Sequence, residues 1–301
     1  MKAGVCFTPE SFNFNLPEMD IVSSLAIVSN LINKMDKGFV TFFKSDDFDE
    51  RAAIDIYEQV SSIDAGAIMS LIYDQQMSKV STISQDETAV KAIVDSESPN
   101  YKSFWLSLYS SNIGLVLTNK PERTITTEKC LVHYSSEVLV KNTRSHNDYA
   151  KAFVQIYRNL LFLDNPGNDT YKTFNSIRKI EGGYASFIKE ITDCLSYMNS
   201  YEIIPHNSHF NINNLNAALS FSVTPEGKGK NKRKLKALKR DFFINNVEYK
   251  NVNCEYHYKL ERIDNSNGNG TYFFNRIYFG FFNRFNGKNP QIAIAHIGEH
   301  L

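Results

Sequence analysis

Apolar residues recur at steps of three and four positions along the first two thirds of the chain. The run from Glu18 to Met35 predicts an amphipathic helix, with Pro17 suited to its first turn and Gly38 ending it. The same spacing predicts further helices over about residues 49–60, 64–77, 87–94, 147–163, 169–180 and 184–199. Runs at residues 39–43 and 114–118 predict strands, the second of them buried, and residues 130–140 predict a strand pair or a bulged strand.

The period changes to two near the C-terminus. Residues 252–261 alternate strictly, so His257 and Lys259 share a polar face that is expected to be wet. A second strand over about 272–282 puts Arg276 and Tyr278 on one face, and a third covers 291–296. Segments rich in Asn and Gly separate the three strands. The sequence therefore predicts a small antiparallel meander.

Together these patterns predict an α+β protein, with a mostly helical N-terminal and middle region and a small C-terminal antiparallel β-sheet. Asn and Ser become dense from about residue 207, which marks a change of domain. We expect residues 1–215 to form a mainly helical scaffold or regulatory region, and residues 216–301 to form a small antiparallel β-module preceded by a basic helix.

The charge of the chain is balanced, with 33 basic and 33 acidic side chains. A global field therefore cannot attract nucleic acid or membrane, and any attraction must come from a local patch. One such patch exists, and its eight cations are Lys228, Lys230, Lys232, Arg233, Lys234, Lys236, Lys239 and Arg240. It predicts contacts to the phosphates of RNA or another nucleic acid, or else a solvated basic helix and loop.

The four cysteines lie far apart, and no CxxC pair occurs. The chain opens without an apolar segment of the signal-peptide kind and contains no apolar run of the roughly 20 residues that cross a bilayer. These features predict a soluble, reduced, cytoplasmic protein without a membrane partner.

Five side chains on the predicted meander could carry chemistry: His257, Lys259, Arg276, His296 and His300. Cleavage of RNA by its own 2′-hydroxyl needs a proton acceptor, a proton donor and cations near phosphorus. His suits the proton transfers at neutral pH, and Lys and Arg suit the phosphate. We expect His257 with His296 or His300 to transfer protons, Lys259 and Arg276 to hold phosphate, and neither metal nor cofactor to be needed.

Two other interpretations use the same residues. Cys254 and His257, with His296 and His300, have spacings seen at zinc sites, although Cys254 and His257 point to opposite faces of one strand. Alternatively the histidines are structural, with His257 paired to a neighbouring glutamate and the last two at the end of the chain.

A family resemblance follows from the order of these features. The basic helix, the strand bearing His257 and Lys259, the run Arg-Ile-Tyr-Phe at 276–279 and the run His-Ile-Gly-Glu-His at 296–300 resemble the RelE/ParE-type toxin module over about residues 225–301. Many members of that family are metal-independent ribonucleases that use His, Lys, Arg or Tyr on a small sheet, whereas ParE-like members are not nucleases.

The resemblance implies a toxin-like endoribonuclease effector in bacterial antiviral defence. The roughly 220 preceding residues imply a larger protein that holds the module in check. The alternative is a non-catalytic subunit that binds nucleic acid or protein, with its helical region contacting a protein partner.

Overall fold

The computed structural model of this chain describes residues 1–75, 77–170, 172–180, 182–220, 222–226, 238–260, 263–264, 271–272, 274–282 and 290–301. The chain forms two compact units, Met1–Asn142 and Thr143–Leu301. Among the described residues, no helix is long and apolar enough to cross a membrane.

Unit 1 is built around a mixed sheet that is mostly parallel. Its strands are β1 (Lys2–Phe7), β2 (Val40–Lys44), β3 (Ser81–Thr82), β4 (Asn100–Tyr101), β5 (Phe104–Tyr109) and β6 (Thr124–Ile125). Its helices are α1 (Glu18–Met35), α2 (Phe48–Gln59), α3 (Ser62–Gln75), α4 (Glu87–Asp95) and α5 (Glu128–Lys141). The strand order is β3-β2-β1-β5-β4 with β6 on β5, and only β4 runs antiparallel to its neighbour.

Strand β1 explains why this sheet is hard to see in the sequence. Five of its six residues are buried, because β1 lies between β2 and β5 and is covered on both faces. A strand of this kind shows an unbroken apolar run in place of alternation. The helices cover the faces, with α1 against β2, α4 against β5 and α5 against β1.

Unit 2 holds a second mixed sheet. Its helices are α6 (His146–Ile156), α7 (Ile188–Ser200) and α8 (Ser208–Ala218). Its strands are β7 (Leu161–Phe162), β8 (Val223–Pro225), β9 (Lys239–Ile244), β10 (Val247–Asn253), β11 (Tyr256–Lys259), β12 (Ile263–Asp264), β13 (Thr271–Tyr272), β14 (Asn275–Phe282) and β15 (Gln291–Glu299). The main sheet has the order β7-β15-β14-β11-β8, with β7 parallel to β15 and the other pairs antiparallel.

The hairpin β9–β10 crosses one face of this sheet. Its two-residue turn, Asn245-Asn246, has φ values of 50° and 63°, as a tight hairpin turn requires. The hairpin packs Phe242, with Cys254 just beyond β10, against Phe282 in an apolar cluster. At the crossing, a Cβ atom on Gly280 would clash with the backbone carbonyl of Asn253. Glycine is therefore needed at residue 280 because two backbones meet there.

The structure confirms a protein of mixed α and β composition, but placing its only sheet at the C-terminus is wrong. Unit 1 contains a sheet of its own beside helices α1 to α5, which the expectation of a helical scaffold over residues 1–215 did not include. The two compact units divide the chain after Asn142, whereas the expected division was at 215/216. Strand β7 pairs with β15, and the Thr173 hydroxyl donates a hydrogen bond to the carbonyl of Ile294 at 2.9 Å.

Three local predictions fail for identifiable reasons. Residues 130–140 belong to helix α5, whose N-cap Thr127 accepts a hydrogen bond from the amide of Cys130. Leu115 and Val116, expected in a buried strand, are 41% and 51% exposed in a turn region. The predicted basic helix lies mostly outside the described residues, but its last two cations, Lys239 and Arg240, begin strand β9, where pairing with β10 overrides helical propensity.

Replacing Gly280 by alanine should destabilise unit 2, because the new methyl group would force the hairpin away from the sheet. We expect a loss of about 1–3 kcal/mol in the free energy of unfolding, measured with urea and reported by hydrogen exchange in β14 and β15.

The matched control is Gly167→Ala, because a Cβ there would meet only ordinary contact at 3.5 Å. If Gly280→Ala is as stable as Gly167→Ala, the close crossing of hairpin and sheet is wrong.

Candidate functional site

The candidate site lies on one face of the unit 2 sheet. His257 pairs with Tyr278 across β11 and β14 and with Thr224 on β8, and Lys259 pairs with Arg276. Paired residues in antiparallel strands project to the same side. The alternation that put His257 beside Lys259 and Arg276 beside Tyr278 is therefore confirmed.

A carboxylate outside the predicted set lies at the centre. The Glu226 Oε1 atom accepts hydrogen bonds from Arg276 Nη1 at 2.6 Å and from the Tyr278 hydroxyl at 2.9 Å. Two imidazoles come close to the same atom, His257 Nδ1 at 3.7 Å and His300 Nε2 at 3.6 Å. We call these five residues the Glu226 cluster.

Strand pairing positions Glu226. Its backbone amide donates a hydrogen bond to the carbonyl of Glu255 at 2.9 Å, which extends the β8–β11 ladder by one step. Glu226 lies two residues after Thr224 and so projects on the same face. In the sequence, the two-residue spacing from Thr224 to Glu226 was the only sign of this position. It was not recognised because Pro225-Glu226-Gly227 resembles a turn.

Charges and hydrogen bonds in the cluster set the protonation of Glu226. Burial raises the pKa of the carboxyl, but the hydrogen bond from Tyr278 and the positive potential of His257, Arg276 and His300 outweigh burial and lower it. Glu226 is therefore an ionised carboxylate at neutral pH. Burial, with the Glu226 charge nearby, raises the pKa of Tyr278 to about 12, which keeps the phenol protonated as a donor.

His257 departs from the expected wet position, because it is only 3% exposed. Both faces of the sheet are covered here, since Tyr258 and Ile277 on the other face are buried as well. Burial first, and then the charge of Arg276, lower the pKa of His257 to about 4. The ring is neutral at pH 7, with Nε2 lying 3.1 Å from the Thr224 hydroxyl.

The two C-terminal histidines have different positions. His300 joins the cluster because its backbone amide donates to the carbonyl of Phe274 at 2.7 Å, which holds the chain beside β14. His296 lies on the far side of Tyr278, with ring centroids 5.8 Å apart and Nε2 2.8 Å from the carbonyl oxygen of Glu299. Burial lowers the pKa of His296 to about 4.

Of the remaining predicted site residues, Lys259, Lys239 and Arg240 lie within the described parts of the chain. Lys259 is half-buried, and its pKa is lowered by burial and by Arg276, so it lies within the electrostatic range of the cluster. In the basic patch, Lys228, Lys230, Lys232, Arg233, Lys234 and Lys236 lie outside the described residues. Lys239 is exposed and Arg240 half-buried on β9.

The residues considered as zinc ligands do not come together. Cys254 is buried among apolar side chains, where burial raises the pKa of its thiol to about 12, whereas His257 faces Glu226. Within the described parts of the chain, no three His, Cys, Asp or Glu side chains are grouped to hold a metal ion.

Comparisons with protein-family models, with curated proteins and with solved structures find no match to this chain. The chemistry of the site therefore has to be inferred from its own geometry. That geometry joins an ionised carboxylate, an arginine, a nearby lysine, a half-buried imidazole and a phenol that donates a hydrogen bond.

The buried histidines predict that unit 2 loses stability in mild acid. Both pKa values fall from an ordinary 6.5 to about 4, so the unfolded chain binds more protons between these pH values. The stabilising contribution is complete above about pH 6.5 and declines as the pH falls towards 4, by up to about 1.4 kcal/mol per pH unit for each histidine.

The measurement is the free energy of unfolding between pH 7.5 and about pH 5, where most carboxylates stay ionised. His257→Asn should reduce the slope by about one proton, whereas His209→Asn, at an exposed position on α8, should leave it unchanged. An unaltered slope in His257→Asn would show that His257 is not held neutral.

Proposed function

We propose that the Glu226 cluster cleaves RNA without a metal ion and that the chain is a toxin-like endoribonuclease of the cytoplasm, acting in bacterial defence. The observation that supports this most is an ionised carboxylate and an imidazole, Glu226 Oε1 and His300 Nε2, lying 3.6 Å apart beside Arg276 and Lys259. The resemblance of residues 225–301 to RelE/ParE-type modules agrees with it.

The proposed reaction is transesterification. The 2′-hydroxyl attacks the adjacent phosphorus, and its proton passes to Glu226. The bond from phosphorus to the 5′ oxygen breaks, and protonated His300 gives its proton to that oxygen. The products are a 2′,3′-cyclic phosphate and a 5′-hydroxyl end, so atoms and charge balance. Arg276 and Lys259 stabilise the charge that gathers on the phosphate.

These roles differ from those expected from sequence. A neutral His257 that is 3% exposed cannot reach a substrate, and His296 contacts Glu299 and Tyr278. We assign His257 and Tyr278 the role of positioning Glu226, since both lie next to its Oε1 atom. Proton transfer then belongs to Glu226 and His300, whose side chains are 22% and 21% exposed.

One observation favours the alternative of a non-catalytic binding subunit. Arg276 is 11% exposed and already hydrogen-bonded to Glu226, so its guanidinium stabilises the fold alone if no anion displaces Glu226. In that case Lys259 on the sheet and the cations of the basic segment would contact nucleic acid or a protein, and residues 1–215 would supply a protein interface.

The test is cleavage of single-stranded and structured RNA in EDTA. Wild type should cleave both, and Glu226→Gln and His300→Gln should each reduce the rate by about 10²- to 10⁴-fold, because each removes one proton-transfer group. His209→Gln is the matched control and should cleave at the wild-type rate, since His209 is exposed on α8 and hydrogen-bonded to Asn213.

Folding of each variant is checked by near-ultraviolet circular dichroism. If the folded Glu226→Gln protein cleaves as fast as wild type, the cluster is not the catalytic site. If wild type leaves RNA intact but binds it in a salt-sensitive way, the binding subunit is the better description.

A further inference from the structure

A second polar feature of unit 2 is a groove of about 1100 Å³ at the end of the sheet away from the Glu226 cluster. The groove is lined by helix α6, by the edge strand β7 with the turns after it, and by the tip of the β9–β10 hairpin. Gln291, the first residue of β15, lies at one end.

The lining carries more positive than negative charge. Lys151, Arg158 and Lys172 contribute cations, and Asp164 is the single carboxylate among the described lining residues. Lys172 is bonded to the exposed Asp169 at 2.9 Å, and Arg158 donates to the carbonyl of Val154 at 3.2 Å. Lys151 on α6 and Arg158 in the turn just after it are both exposed. This balance suits an anionic ligand.

Aromatic rings provide a second, independent feature. Phe162 and Phe174 in the lining are half-buried with ring centroids 5.2 Å apart, and Phe243 at the hairpin tip is 39% exposed. Amide side chains, including those of Asn147 and Gln155, also line the groove. Proteins that bind single-stranded nucleic acid combine cations that contact its phosphates with aromatic rings on which its bases stack. Such stacking requires bases that are not paired.

We propose that this groove binds single-stranded RNA and forms the part of the substrate site that lies away from the cut. This deepens the proposed ribonuclease function and rests on it for the choice of RNA. Phosphates contact Lys151 on α6 and Arg158 just after it, and a base stacks on Phe243 at the hairpin tip.

The sheet gives the separation of the two sites. Arg276 pairs with Gly298 at the cluster end, and Phe282 pairs with Gln291 at the groove end, so six residues of β14 separate them. At about 3.3 Å per residue this is roughly 20 Å, which a stacked strand covers in about six nucleotides at about 3.4 Å each. A strand of twelve nucleotides is therefore long enough to occupy both.

The test uses a fluorescent 2′-O-methyl RNA of twelve nucleotides, which has no free 2′-hydroxyl and cannot be cut by the proposed reaction. Fluorescence anisotropy on the full chain gives its Kd. We expect Phe243→Ala and Arg158→Ala each to weaken binding by about five- to fiftyfold, and Arg158→Ala also to reduce the slope of log Kd against log salt by about one.

The matched controls, Phe210→Ala and Lys189→Ala, replace exposed residues of α8 and α7 outside the groove and should bind as wild type does. Annealing the probe to its complement should weaken binding, because paired bases cannot stack on Phe243. Wild-type affinity in both groove variants, or equal affinity for strand and duplex, would overturn the groove proposal.

This outcome can be separated from failure of the ribonuclease proposal. Tight, groove-dependent binding with no cleavage of ordinary RNA would leave the groove standing and refute catalysis by the Glu226 cluster. Cleavage that depends on Glu226, with binding that ignores Phe243 and Arg158, would do the reverse.

Discussion

The carboxylate of Glu226 neutralises the guanidinium of Arg276 at a partly buried point of the sheet, and the other polar groups nearby depend on that pairing. Removing one member of such a pair leaves the other charge without compensation, which costs about 3–5 kcal/mol in a buried setting and less where some solvent remains. Because the Arg276 side chain is 11% exposed and that of Glu226 is 22% exposed, the pair lies between these limits. Tyr278 then acts as a donor, and His257 stays neutral beside a cation.

The crossing at Gly280 divides the same sheet face into two parts with different chemistry. Beyond it lie Phe282, Ala293 and the apolar cluster under the hairpin, and before it lie Tyr278 and Arg276. A side chain at residue 280 would lift the hairpin and admit water to both parts. The hairpin also carries Phe243 to the groove, so one close backbone contact positions the covered end of the sheet and the groove wall.

Sequence patterns predicted elements with one buried face better than elements buried on both faces, and the reason is the period of each signal. Helix α1 matches its predicted bounds, and the order of β11, β14 and β15 agrees with the predicted meander. The spacing of apolar residues reveals such elements because one of their faces is apolar and the other polar. Strand β1 was not predicted because both its faces are buried, so its residues do not alternate between apolar and polar. Helix α8 was not predicted because its asparagines suggest a loop. In the structure these residues stabilise the helix, since Asn207 caps it and the buried Asn211 is hydrogen-bonded to the backbone of Ile204.

The candidate site shows the same limit. Parity along a strand put His257, Lys259, Arg276 and Tyr278 on one face, but Glu226 and His300 join through pairing at the ends of strands, which local sequence does not specify.

The protonation of the cluster constrains what it can do. At neutral pH His257 is neutral, Tyr278 is protonated and Glu226 is ionised, because burial disfavours charge on the first two while hydrogen bonds and cations favour it on the third. Of these three groups, only Glu226 can accept a proton while remaining partly exposed. A proton taken up there would weaken the attraction for Arg276 and free the guanidinium to contact an anion. The same carboxylate that neutralises Arg276 in the resting protein would thus release it towards phosphate at the moment the substrate loses its proton.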